Sequence, residues 1–276
     1  MLNETSLNTV CGALCYAMGV QPPEHAAAPN EKMVKYVDET LEGKKVDRIF
    51  MFNPDAVGQW ISDKYADLLQ EVSLKTDLEV PLRSPFKPVT PVCFATMYTG
   101  ALPDVHGIHE YQKPVLTVDT IFDAMARAGK RCAIIALRVC SIGSIFLDRD
   151  VDYFFEPSPS AAVACAARLI MEDQHDLIVC YNGNYDYWQH RAGPEGTRAL
   201  AELRSNSYSY AMLDDMIQTH WKGHNTLVGF AMDHGCHLLE EPMVKDNGTV
   251  YWGTHCDEIP EDMNIVHRYK IHKAEE

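Results

Sequence analysis

Short apolar runs recur along the chain: Val46–Phe52, closed by Asn53-Pro54, then Arg131–Leu137, Asp152–Phe155, Asp176–Tyr181 and Thr226–Met232. Segments with apolar residues at helical spacing lie between the later runs, at Ser160–Glu172 and Thr197–Thr219. Runs this short, bounded by turn formers, read as strands buried on both faces. Strands that alternate with helices predict a mostly parallel sheet covered on both sides, a three-layer α/β/α sandwich. Upstream, Leu7–Val20 has helical periodicity and is stopped by Gln21-Pro22-Pro23, and Glu31–Leu41 reads as a second short amphipathic helix. Residues 1–46 therefore read as a helical N-terminal arm on a single α/β domain spanning residues 1–276.

Hydrophobic residues make up 46% and charged residues 23% of the chain, enough to bury a core without disulfide or metal staples. Asp and Glu number 39 against 24 Lys and Arg, and the formal charge of −15 argues against partners that present long runs of phosphate. Nucleic-acid polymers and anionic membranes are thereby disfavoured. The opening MLNETSLNTVCGALCYAMGV lacks a basic leader and its apolar stretch is broken by Asn8, Thr9 and Gly12, so it does not read as a signal peptide. No run approaches the roughly 20 apolar residues of a membrane span. The nine cysteines are odd in number, scattered and without a CxxC pair, which reads as reduced, structural and cytoplasmic.

In sheets of this kind functional groups collect beyond the carboxyl ends of the strands. There the sequence places Asp55 after the first run, Asp186 and His190 after the fourth, Asp233 and His234 after the fifth, and His255 in the loop beyond. Taken singly, each has an ordinary reading: a turn former, a solvated pair, a surface histidine. Taken together beyond one sheet edge, carboxylates and imidazoles suit zinc, and also manganese or iron, with open positions at the ion. Thr90-Pro91 has its own local meaning, since Thr is a good N-cap and Pro is favoured at the first helical position. A hydroxyl at a helix N-terminus beside cations can be ionised and act as a nucleophile.

The pieces Thr90-Pro91, Thr99-Gly100, Pro103, His106-Gly107-Ile108, Asp186-x-x-x-His190-x-x-Gly193-Pro194, Asp233-His234-Gly235 and Gly253-Thr254-His255 follow one another in order. In this the chain resembles the alkaline phosphatase superfamily, most closely its type I phosphodiesterase/nucleotide pyrophosphatase branch. The resemblance implies an alkaline-phosphatase-like catalytic core with two divalent ions, usually zinc and alternatively manganese. One would be held by Asp186, His190 and His255, the other by Asp55, Asp233 and His234 beside the Thr90 oxygen. It further implies a phospho-threonine intermediate on Thr90 and hydrolysis of small phosphodiesters. The alternatives are a phosphomonoesterase or phosphonate hydrolase with the same metal site, or a catalytically silent metal- or phosphate-binding module. A sulfatase is disfavoured, because the segment lacks the Cys/Ser-x-Pro-x-Arg pattern.

The chain departs from that pattern in three places. Where the branch carries an Asn shortly after His-Gly-Ile, this sequence has His109, Glu110 and Tyr111, and Tyr111 is the candidate substrate-binding donor in its place. Gln189 stands where a Gly usually precedes the second ligand. The stretch between His234 and His255 is too short for a cap subdomain, so the site is expected to be open, with residues 1–46 substituting for the cap or making a homo-oligomer contact. Lys87 and Lys113 are the nearest basic candidates for the site, Tyr187 and Trp188 are candidate walls, and Cys236 and Cys256 neighbour two of the ligands.

Overall fold

The computed structural model describes residues 1–275. Its strands are β1 (Arg48–Pro54), β2 (Leu78–Arg83), β3 (Cys132–Leu137), β4 (Asp152–Glu156), β5 (Leu177–Asn182), β6 (Thr226–Phe230), β7 (His237–Val244), β8 (Val250–Thr254) and β9 (Asn264–His272). All but β7 and β8 form one sheet in the order β2-β9-β6-β1-β5-β3-β4. The block β6-β1-β5-β3-β4 is parallel, and β9 runs antiparallel to both β6 and β2. β1 beyond Arg48, and all of β5 and β6, are buried. Near-continuous apolar runs are what a strand covered on both faces requires.

The covering helices have recognisable local causes. Ser158 accepts from the Ala161 amide and Pro159 follows it at the start of the helix Pro159–Glu172. Asn30 caps Glu31–Leu41 in the same way, through the Met33 amide. The helices Pro159–Glu172 and Thr197–His220 pack together on one face, and the helices Thr9–Met18, Thr90–Thr99 and Ile121–Arg127 pack on the other. Each face has its own aromatic cluster. Phe52 stacks on Phe230 at 5.9 Å with Tyr210 edge-on to both, and across the sheet Tyr98, Phe122 and Phe146 form a second group.

The sandwich and the parallel strands are where the sequence puts them, but three features differ. First, residues 1–46 do not stand off as an arm. Val10, Cys11, Leu14, Cys15, Met33 and Val37 are fully or almost fully buried, and the helix Thr9–Met18 is part of the covering layer. Its apolar residues cover most of its circumference, which is the pattern of a helix packed on several sides. Second, β2 and β9 extend the sheet unannounced. β9 carries buried His267 and Arg268; His267 Nε2 donates to the Met232 carbonyl at 2.6 Å and Arg268 Nε donates to Glu79 at 2.8 Å. Third, the stretch between His234 and His255 folds as the hairpin β7–β8. No helix among the described residues is long and apolar enough to cross a membrane.

Because Leu14 is wholly buried, Leu14→Ala is expected to lower unfolding stability by about 2–5 kcal/mol. Urea denaturation checks this, and an unchanged midpoint would mean that the segment docks on the fold without belonging to its core.

Candidate active site

β6, β1 and β5 are adjacent, so three chain segments leave the sheet side by side. Asp55 follows β1, Asp186 lies on the helix Asn184–Ala192 after β5, and Asp233 and His234 follow β6. Buried Asn53 ties two of these exits together. Its amide donates to the Ala231 carbonyl at 2.5 Å while its oxygen accepts from the Tyr98 hydroxyl at 2.7 Å. The Asp55 amide donates to the Asn182 carbonyl at 3.0 Å, which fixes the third. Asp233 is held through Oδ1 by the Ala56 and His234 amides, at 3.2 and 3.0 Å.

Two groups of metal-ligand type result, Asp186 with His190 and His255, and Asp55 with Asp233 and His234. In the first, the Nε2 atoms of His190 and His255 lie 3.3 and 3.6 Å from Asp186 Oδ1. In the second, His234 Nε2 lies 3.4 Å from both Asp55 Oδ1 and Asp233 Oδ2. The His234 and His255 rings, 4.2 Å apart, join the groups into one site.

The imidazoles share a device. Nδ1 of His190, His234 and His255 meets the carbonyl of Gly253, Gly235 and Pro88, at 2.8, 2.9 and 2.9 Å. A carbonyl only accepts, so the proton sits on Nδ1 and the Nε2 lone pair faces the carboxylates. That is the tautomer a metal ligand needs.

The carboxylates show the complementary strain. Asp55 Oδ1 and Asp233 Oδ2 are buried and without a hydrogen-bond donor. Burial raises the Asp55 pKa well above the ordinary value, and the charges of Asp233 and Asp186 raise it further. Burial also raises Asp233, against the opposing influence of His234. Burial acts upward on Asp186 too, but His190, His255 and His234 outweigh it and hold the group below its usual value. Burial pushes His255 well below the usual imidazole range, and neighbouring His234 adds to this, so His255 is neutral at physiological pH. Orphaned carboxylate oxygens facing imidazole Nε2 atoms are a donor set that divalent cations fit. Ligand atoms about 2.0–2.1 Å from a tetrahedral zinc stand roughly 3.3 Å from one another, close to the spacings across each group.

Thr90 lies against the second group. It is the first residue of the helix Thr90–Thr99, with Val89 preceding it in extended backbone and no side-chain cap. The hydroxyl is therefore not the N-cap expected from Thr90-Pro91. Instead Thr90 Oγ1 donates to Asp55 Oδ2 at 3.4 Å and sits 3.4 Å from His234 Nε2. A capped hydroxyl would be tied to the backbone, whereas this one faces the carboxylates.

Thr90, Asp186, His190 and His255 line a cavity of about 590 Å³. Its floor is more enclosed than an open site would be, since Thr90 and His255 are buried while Tyr111 and Tyr187 at the mouth are exposed. None of residues 1–46 lines the cavity, so the segment does not replace a cap there. The hairpin β7–β8 supplies that wall instead, through Lys245, Tyr251 and Thr254. Tyr187 lines the cavity, whereas Trp188 packs against the core. Lys87 and Lys113 do not line it, and the basic residues that do are Arg191 and Lys245. Cys236 is buried against Tyr185, and Cys256 lines the cavity with its sulfur 3.9 Å from His255 Nδ1.

Two neighbours of the ligands become legible only in three dimensions. The Tyr181 hydroxyl donates to Asp55 Oδ2, and Gln189 Nε2 donates to Asp186 Oδ1 at 3.0 Å. Gln189 is buried against Gly253, where any side chain would collide with it. A third acidic group, His237 with Asp257 and Asp262, lies nearby. Asp262 accepts from His237 and from the Cys256 and Asp257 amides, a clamp on the loop that carries His255.

The fold is shared with solved members of the alkaline phosphatase superfamily. Among solved structures, murine ectonucleotide pyrophosphatase/phosphodiesterase 5, an inactive variant in complex with AMP, superposes with a TM-score of 0.63 at 12% identity, over 80% of this chain and 87% of that one. The human protein of the same name gives 0.61 at 12%, over 82% and 87%. Phosphonoacetate hydrolase from Sinorhizobium meliloti 1021, in complex with phosphonoformate, gives 0.53 at 18%, over 74% of this chain and 59% of that longer one. No family model and no curated protein matches the sequence.

In chelator, the raised Asp55 and Asp233 pKa values mean that the folded chain holds protons more tightly than the unfolded one. The contribution of these two carboxyls to stability is therefore fully present below the ordinary carboxylate range and is lost as pH rises toward neutrality. Asp55→Asn is expected to flatten that fall, to raise the melting temperature at neutral pH in chelator, and to weaken zinc binding. Thermal melts with and without zinc check this, and a metal-free wild type more stable than the variant at neutral pH contradicts it.

Proposed function

We propose that the protein is a two-metal phosphoesterase that hydrolyses small phosphodiesters through a phospho-threonine intermediate on Thr90. The observation that carries the reading is the position of Thr90 Oγ1, uncapped, 3.4 Å from Asp55 and His234 of one ligand group, in a cavity that Asp186, His190 and His255 of the other also line. Asp186, His190 and His255 would hold one ion, and Asp55, Asp233 and His234 the other, with zinc favoured by the three imidazoles and manganese the alternative. Bound there, divalent cations supply positive charge that lowers the hydroxyl pKa and stabilises charge on the attacking and leaving oxygens.

The chain's own groups do the rest. Thr90 Oγ1 attacks phosphorus, the bond from phosphorus to the leaving oxygen breaks as the phospho-threonine forms, and the proton Oγ1 gives up passes through solvent to the leaving oxygen. Water then attacks phosphorus, the bond from phosphorus to Oγ1 breaks, and a proton from that water returns the hydroxyl. Tyr181 and Gln189 hold Asp55 and Asp186 in place through their hydrogen bonds. The apolar and aromatic walls, Leu137, Tyr187 and Tyr251 among them, exclude water from the substrate. Tyr111 stands at the mouth, within reach of a bound ester.

Support also comes from the fold neighbours, a nucleotide pyrophosphatase/phosphodiesterase and a phosphonate hydrolase. The test is steady-state turnover of bis-p-nitrophenyl phosphate beside p-nitrophenyl phosphate after chelation and re-addition of zinc or manganese. The expected result is a metal-dependent preference for the diester and a loss of at least about 10³-fold in kcat for Thr90→Ala. Preference for the monoester moves the reading to a phosphatase, and near-wild-type turnover by Thr90→Ala removes the nucleophile.

A further inference from the structure

The cavity wall beside His190 carries an arrangement that the proposed chemistry does not use. Arg191 follows His190 on the helix Asn184–Ala192, and Lys245 lies at the end of β7. Both line the cavity, and they are its basic lining residues apart from the histidines. The Arg191 guanidinium sits 3.6 Å from the centre of the Tyr187 ring, and one of its nitrogens donates to the Tyr187 carbonyl at 3.0 Å. It also lies 5.8 Å from the centre of Tyr251, and Lys245 Nζ lies 4.8 Å from that same ring. Tyr251 itself stacks on His190, with centroids 4.5 Å apart.

Two cations are thus gathered around one tyrosine in a strongly acidic chain, and among the described residues neither has a carboxylate within 4.0 Å. Like charges held together at a cavity wall repel one another unless an anion joins them. The tyrosine faces orient them for one beforehand. The hydrogen bond to the Tyr187 carbonyl uses part of the guanidinium fork and leaves its remaining donors for a ligand.

We infer that Arg191 and Lys245 form an anion subsite, and that the substrate is a phosphate ester or phosphonate whose departing part carries a second anionic group, a carboxylate or a phosphoryl group. The inference rests on the phosphoesterase reading and narrows it. With the phosphoryl group at Thr90, the departing part extends along the cavity toward the hairpin, where a charged end meets the two cations. An uncharged aryl or alkyl end finds only the tyrosine walls. Arg191 suits a planar or tetrahedral oxyanion through paired N–H donors, and Lys245 adds a movable point charge.

The experiment measures equilibrium binding, by calorimetry, of three non-hydrolysable probes to the zinc-loaded enzyme. Ethylphosphonate has no charged end, phosphonopropionate ends in a carboxylate, and ethylenediphosphonate ends in a second phosphonate. At least one of the charged probes is expected to bind at least about tenfold more tightly than ethylphosphonate, and which one does so identifies the anion. That ratio is expected to fall toward one in Arg191→Ala/Lys245→Ala. It should persist in Arg204→Ala, which removes a tyrosine-stacked arginine that does not line the cavity. Equal affinity for all three probes overturns the subsite and leaves the phosphoesterase reading standing. A tenfold gain that survives the double substitution assigns it to chelation at the metals and overturns the subsite as well. If no probe binds, the phosphoesterase reading falls with it.

Discussion

The carbonyls of Pro88, Gly235 and Gly253 each hold the Nδ1 of one imidazole, and the chemistry of the cavity follows from those bonds. With the proton committed to Nδ1, all three Nε2 lone pairs face a set of buried carboxylates that repel one another in the absence of a cation. Neither half suffices alone. Free imidazoles would sample both tautomers, and buried carboxylates without facing ligands would take up protons and become neutral. The three carbonyls come from three different stretches of chain, so the whole fold has to close before the ligand set exists.

That dependence explains the division of labour around the sheet. The adjacent exits of β6, β1 and β5 carry Asp233, His234, Asp55 and Asp186, and the rigidity of three fully buried strands fixes their spacing. The hairpin β7–β8 contributes at second remove. Gly253 anchors His190, Tyr251 stacks on it, and Lys245 reaches the cavity from the hairpin turn. One short excursion therefore sets the orientation of a ligand and also forms one wall of the cavity. A change in the hairpin can reach both the paired Asp/His groups and the shape of the cavity.

The parts that sequence alone made legible are those whose signal is local. β1, β5 and β6 are apolar runs because both faces are covered, and their ends are where ligand-type residues stand out. β9 was hidden because His267, Arg268 and Lys270 interrupt its pattern, and the two that are buried bond to distant partners. Pro81 and flanking charges disguised β2, where proline is tolerated because the strand lies at a sheet edge. The arm reading of residues 1–46 failed for a related reason, since helical periodicity does not say which helix covers the sheet. Tyr181, Gln189 and Arg191 stood beside recognised ligands in the sequence, but their roles depend on which atoms face them across the fold. Thr-Pro is also a capping signature, so sequence alone left the Thr90 hydroxyl a local role as a cap beside that of nucleophile, and a helix start one residue earlier frees it.

The placement of β9 has a consequence for how the polypeptide comes together during synthesis. It follows every other strand in the sequence, yet it lies between β6 and β2, one place in from the edge of the sheet. Until it has left the ribosome, β6 has an open edge on one side and β2 has no partner in the sheet. Such edges invite pairing with other chains. The nascent molecule therefore passes through a stage with most of its sheet assembled and one slot vacant, which is the stage a chaperone would have to shield.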